Sequence, residues 1–206
     1  TVESVLHEVR QIDSRGVREL NIIGQDITSY GMDLYHEKSL ARLLKEVVRE
    51  VKNIHWIRLL YAFPAHLTDD LLDVISREPK ICKYVDVPFQ HISDKMLTTM
   101  NRGITSEESH RLVEKIREKI PGVRIRSTFI TGLPGEGEDE FAELMDFVRW
   151  ARFDRVGAFV YSPEEGTPAF TMPQQVQKSV KKKRLDRLMR AQKEISKELN
   201  EGMIGS

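Results

Sequence analysis

Apolar residues follow two alternating rhythms along the chain. Short runs rich in Ile, Val, Leu, Phe and Tyr at 19–26 (ELNIIGQD), 54–62 (IHWIRLLYA), 84–90 (YVDVPFQ), 124–132 (RIRSTFITG) and 155–163 (RVGAFVYSP) stop at polar or turn residues and read as strands. Between them the apolar positions switch to helical spacing: Leu40, Leu43, Leu44, Val47, Val48 and Val51, then Leu71, Leu72 and Ile75, then Leu112, Val113 and Ile116, then Phe141, Leu144, Met145 and Val148. Thr68 and Ser106 each stand just ahead of carboxylates and are the expected helix caps. Strands alternating with helices imply right-handed βαβ units and a parallel sheet. No G-x-G-x-x-G follows the first strand, which disfavours a dinucleotide-binding open sheet and favours a TIM-like βα barrel.

The two ends of the chain depart from this rhythm. Val2, Val5, Leu6, Val9 and Ile12 share one helical face, so the repeat opens on a helix with no strand before it, and an open barrel lacking its first strand is expected. After the fifth strand, SPEEGTPAFTMP is closed off by prolines, so residues 1–172 read as an incomplete barrel and 173–206 as a C-terminal helix and linker. That helix is expected from Gln174 to about Gly202, with Val180, Leu185, Leu188, Met189, Ile195 and Leu199 as its apolar stripe. Its basic run KSVKKKR at 178–184 reads as a solvated face balanced by Asp186, Glu194 and Glu198, or as a surface for nucleic acid.

Composition adds little beyond exclusions. The 206 residues are 40% hydrophobic, with 32 Lys and Arg against 32 Asp and Glu, so no global field draws the chain to nucleic acid or a membrane surface. Neither a spanning segment nor a signal peptide is visible, and a cytoplasmic protein without membrane contact is expected. The single cysteine, Cys82, excludes an internal disulfide and a multi-thiolate metal site within this chain.

In βα barrels, functional groups gather at the C-terminal ends of the strands. Those ends are polar here: Gln25 and Asp26 after the first strand, Gln90 and His91 after the third, Thr131 and Gly132 before LPGE, Tyr161 and Ser162 after the fifth. Gln90 and His91 are therefore candidates to face a ligand, although a His at a helix start also serves simply as a backbone-bonded loop residue. GLPGEGEDEF at 132–141 reads either as a cradle for an anion or as a tight turn whose Glu138, Asp139 and Glu140 satisfy the following helix dipole. Arg126, expected to be buried in the fourth strand, would need an anionic partner such as Asp86 or a ligand carboxylate.

The stretches GQDITSYG (24–31), YAFPAHLTDDLLDVI (61–75), YVDVPFQHISDKMLTTMNRG (84–103), RSTFITGLPGEGEDEF (126–141) and YSPEEGTPA (161–169) together resemble, in wording and order, the core of the radical S-adenosylmethionine methylthiotransferases. Asp26 in GQD, YVDVPFQHISD and RLDRLMRAQKEIS at 184–196 are similar to the branch that acts on a ribosomal protein rather than on tRNA.

This resemblance implies a radical SAM barrel and transfer of a methylthio group to the β-carbon of an aspartyl residue in a small-subunit ribosomal protein; the tRNA adenosine reaction is the alternative. It implies S-adenosylmethionine and two iron–sulfur clusters in the full-length protein, and an electron donor such as flavodoxin or ferredoxin. The C-x₃-C-x₂-C loop of that family is absent, so a core fragment without cluster ligands or catalytic residues of its own is expected, with RNA contact left to a further C-terminal domain. Carried over residue by residue, Gln25 and Asp26 would meet the methionine amino group and Arg126 its carboxylate. Gln90 and His91 would approach ribose or substrate, Gly132 and Glu136 would shape the adenine side, and Tyr161 or Ser162 would meet adenine. A metal-free barrel enzyme using His91 and Glu136 as acid and base, and a non-catalytic RNA-docking module resting on 178–184, are the readings from other classes.

Overall fold

A computed structural model describes residues 1–205, which divide into two compact units, 1–87 with 114–124 and 88–113 with 125–205. The first unit carries α1 (Val2–Ser14), β1 (Glu19–Ile22), a 3-10 turn (Ile27–Ser29), α2 (Met32–Tyr35), α3 (Leu40–Glu50), β2 (Trp56–Leu59), a second 3-10 turn (Pro64–His66), α4 (Asp69–Arg77) and β3 (Tyr84–Asp86). β1 and β2 are parallel, with Glu19 opposite Trp56 and Ile22 opposite Leu59, and Ile57 bridges to Ile81. Leu44, Val47, Ile54, Ile57, Leu72, Ile75 and Ile81 form the core, drawn from the faces that the periodicity marks. Thr68 caps α4 as expected, its Oγ1 accepting the Leu71 N–H at 3.3 Å.

Asp13 is buried at the end of α1, where a carboxylate opposes the helix dipole. It compensates by accepting the N–H groups of Lys52 (3.1 Å), Asn53 (2.8 Å) and Ile54 (2.8 Å), which fixes the chain as it turns into β2. Burial works against this charge, and the three donors outweigh it and hold the carboxyl below its usual range. A folded-state value below the unfolded one means that the contribution is complete above about pH 4 and is lost as pH falls through the lower folded value. Asp13→Ala is expected to cost at least about 2 kcal/mol at neutral pH, with the gap to wild type shrinking in acid. Urea melts at neutral and acidic pH measure both.

The second unit carries α5 (Asp94–Thr99), α6 (Ser106–Lys119, the first unit taking over at Glu114), β4 (Arg124–Thr131, in this unit from Ile125), α7 (Glu138–Ala151), β5 (Arg155–Val160), α8 (Pro168–Thr171) and α9 (Lys178–Glu201). β4 and β5 are parallel, in register from Arg126 opposite Arg155 to Thr131 opposite Val160. Alternation along β4 buries Ile125, Ser127, Phe129 and Thr131. Phe129 joins Phe89, Phe147 and Phe153 in an aromatic core, for example Phe89 edge-on to Phe147 at 5.4 Å between centroids.

Several expectations need correction. Arg126 is exposed rather than buried, because the same alternation puts it on the face of β4 opposite Phe129. The strands are shorter than their apolar runs. β3 stops at Asp86, ahead of Pro88, which has no N–H to extend a ladder, and Gln90 makes only a single bridge to Phe129. The N-terminus of α6 is capped by Thr105 rather than Ser106: Thr105 Oγ1 accepts the Glu108 N–H (3.2 Å) while Glu108 Oε2 accepts the Thr105 N–H (2.8 Å).

The long helix α9 starts at Lys178, four residues later than expected, after Gln174 at φ 59°. Its buried positions are Lys181, Arg184, Leu188, Gln192 and Ile195, so three of the five are polar and Met189 of the expected stripe is exposed. The run KSVKKKR is accordingly not one solvated face. Each buried polar side chain on α9 has partners, as Gln192 shows by donating to the Phe153 carbonyl at 2.7 Å.

Candidate functional site

In the first unit the polar residues after β1 fold back on themselves. Gln25 is exposed, while Asp26 caps the 3-10 turn, its Oδ1 accepting the Thr28 N–H (2.9 Å) and the Thr28 hydroxyl. Its Oδ2 lies 2.7 Å from His66 Nδ1, on the turn that follows β2. Burial opposes the Asp26 charge, and the hydrogen bonds from Thr28 and His66 outweigh it and keep the carboxyl low. The two loops are also joined by main chain: Ile27 N–H donates to the Tyr61 carbonyl (3.2 Å) and Phe63 N–H to Thr28 Oγ1 (3.2 Å). His66 is a residue that the periodicity did not single out. Its one sequence signal is its place in FPAHLT, just past the end of an apolar run.

In the second unit the loop between β4 and α7 turns on Gly132, at φ 78°. A Cβ there would fall on Lys181 Cγ and within 2.9 Å of its Cδ, so glycine is needed both for its backbone angle and to let α9 approach. Lys181 runs across this glycine and places Nζ 2.9 Å from the Tyr161 carbonyl at the end of β5 and 4.6 Å from the Tyr161 ring centroid. Burial pushes its ammonium down from the ordinary lysine value.

Glu136, whose side chain has no solvent exposure, is the hub of this loop. Its Oε2 accepts the Gly132 N–H at 2.8 Å, and its Oε1 pairs with Arg184 Nη1 at 2.7 Å. Arg184 also donates to the Glu136 carbonyl (3.0 Å) and to Glu138 Oε1 (2.7 Å). Burial opposes the guanidinium charge, and these carboxylates outweigh it and raise its affinity for the proton. Glu138 is held below its usual range by Arg184, and Glu140 caps α7 by accepting the Gly137 N–H at 2.7 Å. The acidic run therefore serves the helix start and the ion pair, which is the turn reading of GLPGEGEDEF.

His91 lies in the interior of this unit with no exposure, its Nδ1 accepting the Ser93 N–H at 3.1 Å. The proton then sits on Nε2, which faces Glu136 Oε2 at 3.5 Å, too long for a hydrogen bond and without another partner. His91 and Glu136 are sealed together, so no substrate reaches them as an acid–base couple. Around them, Gln90 sits at φ 71° with its Oε1 buried and unpartnered, and the Tyr161 hydroxyl is likewise buried without a partner, whereas Ser162 is exposed. The open face of the strands presents Arg126, Thr128 and Ile130 beside Gly157 and Phe159, the last 61% exposed.

Residues 1–148 match the family model of the radical SAM superfamily. The chain belongs to the radical SAM superfamily. Among curated radical SAM relatives, "Ribosomal protein uS12 methylthiotransferase RimO" of Geobacter sulfurreducens is 48% identical over 203 residues, covering 98% of this chain and 45% of its own length. The protein of the same description from Bacteroides thetaiotaomicron is 46% identical over 206 residues, covering all of this chain and 47% of its own. The chain thus spans a little under half the length of the curated relatives it matches.

Solved radical SAM structures share the fold at low identity. The S-adenosylmethionine methyltransferase TsrM from Kitasatospora setae superposes with a TM-score of 0.60 at 19% identity, over 78% of this chain and 31% of that one. Methylornithine synthase (PylB) gives 0.57 at 15% identity, over 93% of this chain and 53% of that one. The parallel βα architecture expected from the periodicity is therefore that of radical SAM enzymes.

Proposed function

We propose that this chain is the core of a radical SAM methylthiotransferase that places a methylthio group on the β-carbon of an aspartyl residue of ribosomal protein uS12. The observation that carries this reading is identity of 45–48% across essentially the whole chain to radical SAM relatives described as uS12 methylthiotransferases. The strand ends are consistent with it, since they offer polar groups at the positions where parallel βα folds bind ligands.

S-adenosylmethionine fits the residues present. An exposed arginine on β4, an uncovered apolar strand face, and two buried polar atoms without partners, Gln90 Oε1 and Tyr161 Oη, suit a ligand with a carboxylate, a flat ring and several donors. When bound with a reduced cluster, it supplies the one-electron chemistry that removes hydrogen from an unactivated carbon. Arg126 is assigned to its carboxylate, Gln90 to its ribose, and Tyr161 and Ser162 to its adenine. Gly132 is assigned to close backbone approach, while Asp26 in the first unit is engaged by Thr28 and His66. His91 and Glu136 take no ligand and act by holding the Gly132 loop. An iron–sulfur cluster does not fit this chain's side chains. Cys82 is half-buried, burial pushes its thiol up, and no three His, Cys, Asp or Glu side chains group together among the described residues. Cluster ligands and RNA-contacting parts are assigned to the rest of a longer cytoplasmic protein, and the electron to a separate donor such as flavodoxin or ferredoxin.

The test is on the full-length protein purified without oxygen. The expected result is iron and sulfide in the protein, 5′-deoxyadenosine released from S-adenosylmethionine, and a methylthio adduct on the uS12 aspartate by mass spectrometry. A modified adenosine in tRNA with unmodified uS12 would overturn the substrate assignment, and a full-length protein without iron would overturn the radical chemistry.

A further inference from the structure

The Asp26–His66 pair has the construction of an oriented imidazole. Both side chains follow the C-terminal ends of neighbouring parallel strands, β1 and β2, within the first unit. Asp26 uses both oxygens: Oδ1 takes the two Thr28 donors, and Oδ2 takes His66 Nδ1–H at 2.7 Å, which fixes the tautomer and stops the ring from flipping. His66 Nε2 bonds to nothing among the described residues, although the side chain is only 36% exposed. Asp26 is the charged group that faces the ring from the β1 loop, and Phe63 from its own turn lies against it with centroids 4.8 Å apart.

The pair is not needed to hold the two loops together. The Ile27–Tyr61 and Thr28–Phe63 hydrogen bonds already do so without the imidazole. What the arrangement adds is a fixed ring nitrogen, backed by a carboxylate and directed away from it.

Resting on the uS12 methylthiotransferase reading, we propose that His66 Nε2 receives the carboxylate of the substrate's aspartyl side chain, beside the carbon that reacts. A neutral imidazole with its proton on Nδ1 presents a lone pair at Nε2 and repels a carboxylate. The imidazolium presents a donor on each ring nitrogen and lies between two carboxylates, Asp26 behind and substrate in front. At a pH where the free ring is neutral, binding takes a proton from solvent onto Nε2. An asparaginyl substrate has no charge to match and takes up none.

The experiment uses the full-length cluster-loaded enzyme and a uS12 segment carrying the target aspartate or asparagine in its place. Titration calorimetry in two buffers of different ionisation heat reads proton uptake, and steady-state assays read KM. Wild type is expected to take up protons with the aspartyl segment and not with the asparaginyl one. His66→Asn keeps an N–H where Nδ1 donates to Asp26 but removes Nε2. It is expected to melt as wild type does, to lose the uptake, and to raise KM about 10- to 100-fold, the range for a charge-assisted hydrogen bond.

An unchanged KM and unchanged uptake in His66→Asn, with wild type modifying the segment, would overturn this inference and leave the proposed function standing. Wild-type enzyme that modifies tRNA and ignores the segment would overturn both. Should His66→Asn melt early, the wild-type comparison of aspartyl with asparaginyl uptake decides by itself, equal uptake being the overturning result.

Discussion

Gly132→Ala is expected to be among the most damaging single substitutions in the second unit, despite adding one methyl group. The residue sits at φ 78°, where a Cβ costs roughly 1–3 kcal/mol, and the new methyl falls on Lys181 Cγ. The near end of Lys181 is fixed to the α9 backbone, so it cannot swing clear as a lysine tip would. Either α9 moves off the end of β5 or the loop rebuilds, a further cost of about 1–3 kcal/mol. The sum is a large share of a typical domain's stability. The urea midpoint should fall accordingly. Lys181→Ala in the same chain should restore part of the steric cost and none of the backbone cost, because alanine keeps the Cβ 3.1 Å from the added methyl. Complete rescue would show that the backbone angle is not strained.

Arg184→Leu is the second. The substitution fits the apolar neighbourhood of Phe141, over whose ring the guanidinium lies at 5.5 Å, but it strips the buried Glu136 carboxylate of the one Lys or Arg head group paired with it among the described residues. Breaking a buried pair by removing one partner costs about 3–5 kcal/mol, since the remaining charge has no solvent to fall back on. The effect should spread to the β4–α7 loop, because the same carboxylate holds the Gly132 N–H. Faster hydrogen exchange at Gly132 in Arg184→Leu would report this. Glu136→Gln added to Arg184→Leu removes the stranded charge while keeping an acceptor for Gly132, and is expected to recover most of the lost stability. A double variant no better than the single one would show that the ion pair is worth little and that Arg184 acts through packing.

These expectations rest on residues whose importance was unevenly visible beforehand. The helical faces of α3, α4 and α7 and the strand positions could be read from periodicity, because burial of apolar surface selects residues every three to four positions on a helix and every second position on a strand. Gly132 and Glu136 stood out in GLPGEGEDEF, where clustered glycines mark a turn. Arg184 and Lys181 did not, since in the sequence they belong to a basic run that any solvated helix can carry. Their burial is possible only because Glu136, some 48 positions away, and the Tyr161 carbonyl wait for them. His66 escaped notice for the same reason, its partner Asp26 being 40 positions distant. Arg126 is exposed although it lies inside a strand expected to be buried, because alternation on a strand sends adjacent side chains to opposite faces.

By itself the sequence determined the parallel βα architecture, the order of its elements and the radical SAM membership that the ordered motifs announce. The architecture and its order follow from local rules, periodicity and turn chemistry, that act over a few residues, whereas the membership rests on the resemblance of the ordered motifs to a known family. Only the tertiary structure decided which polar groups lie inside with partners and which stay exposed or unpartnered. A charged side chain can be buried wherever a partner is fixed opposite it, and that partner is supplied by folding rather than by neighbours in the chain.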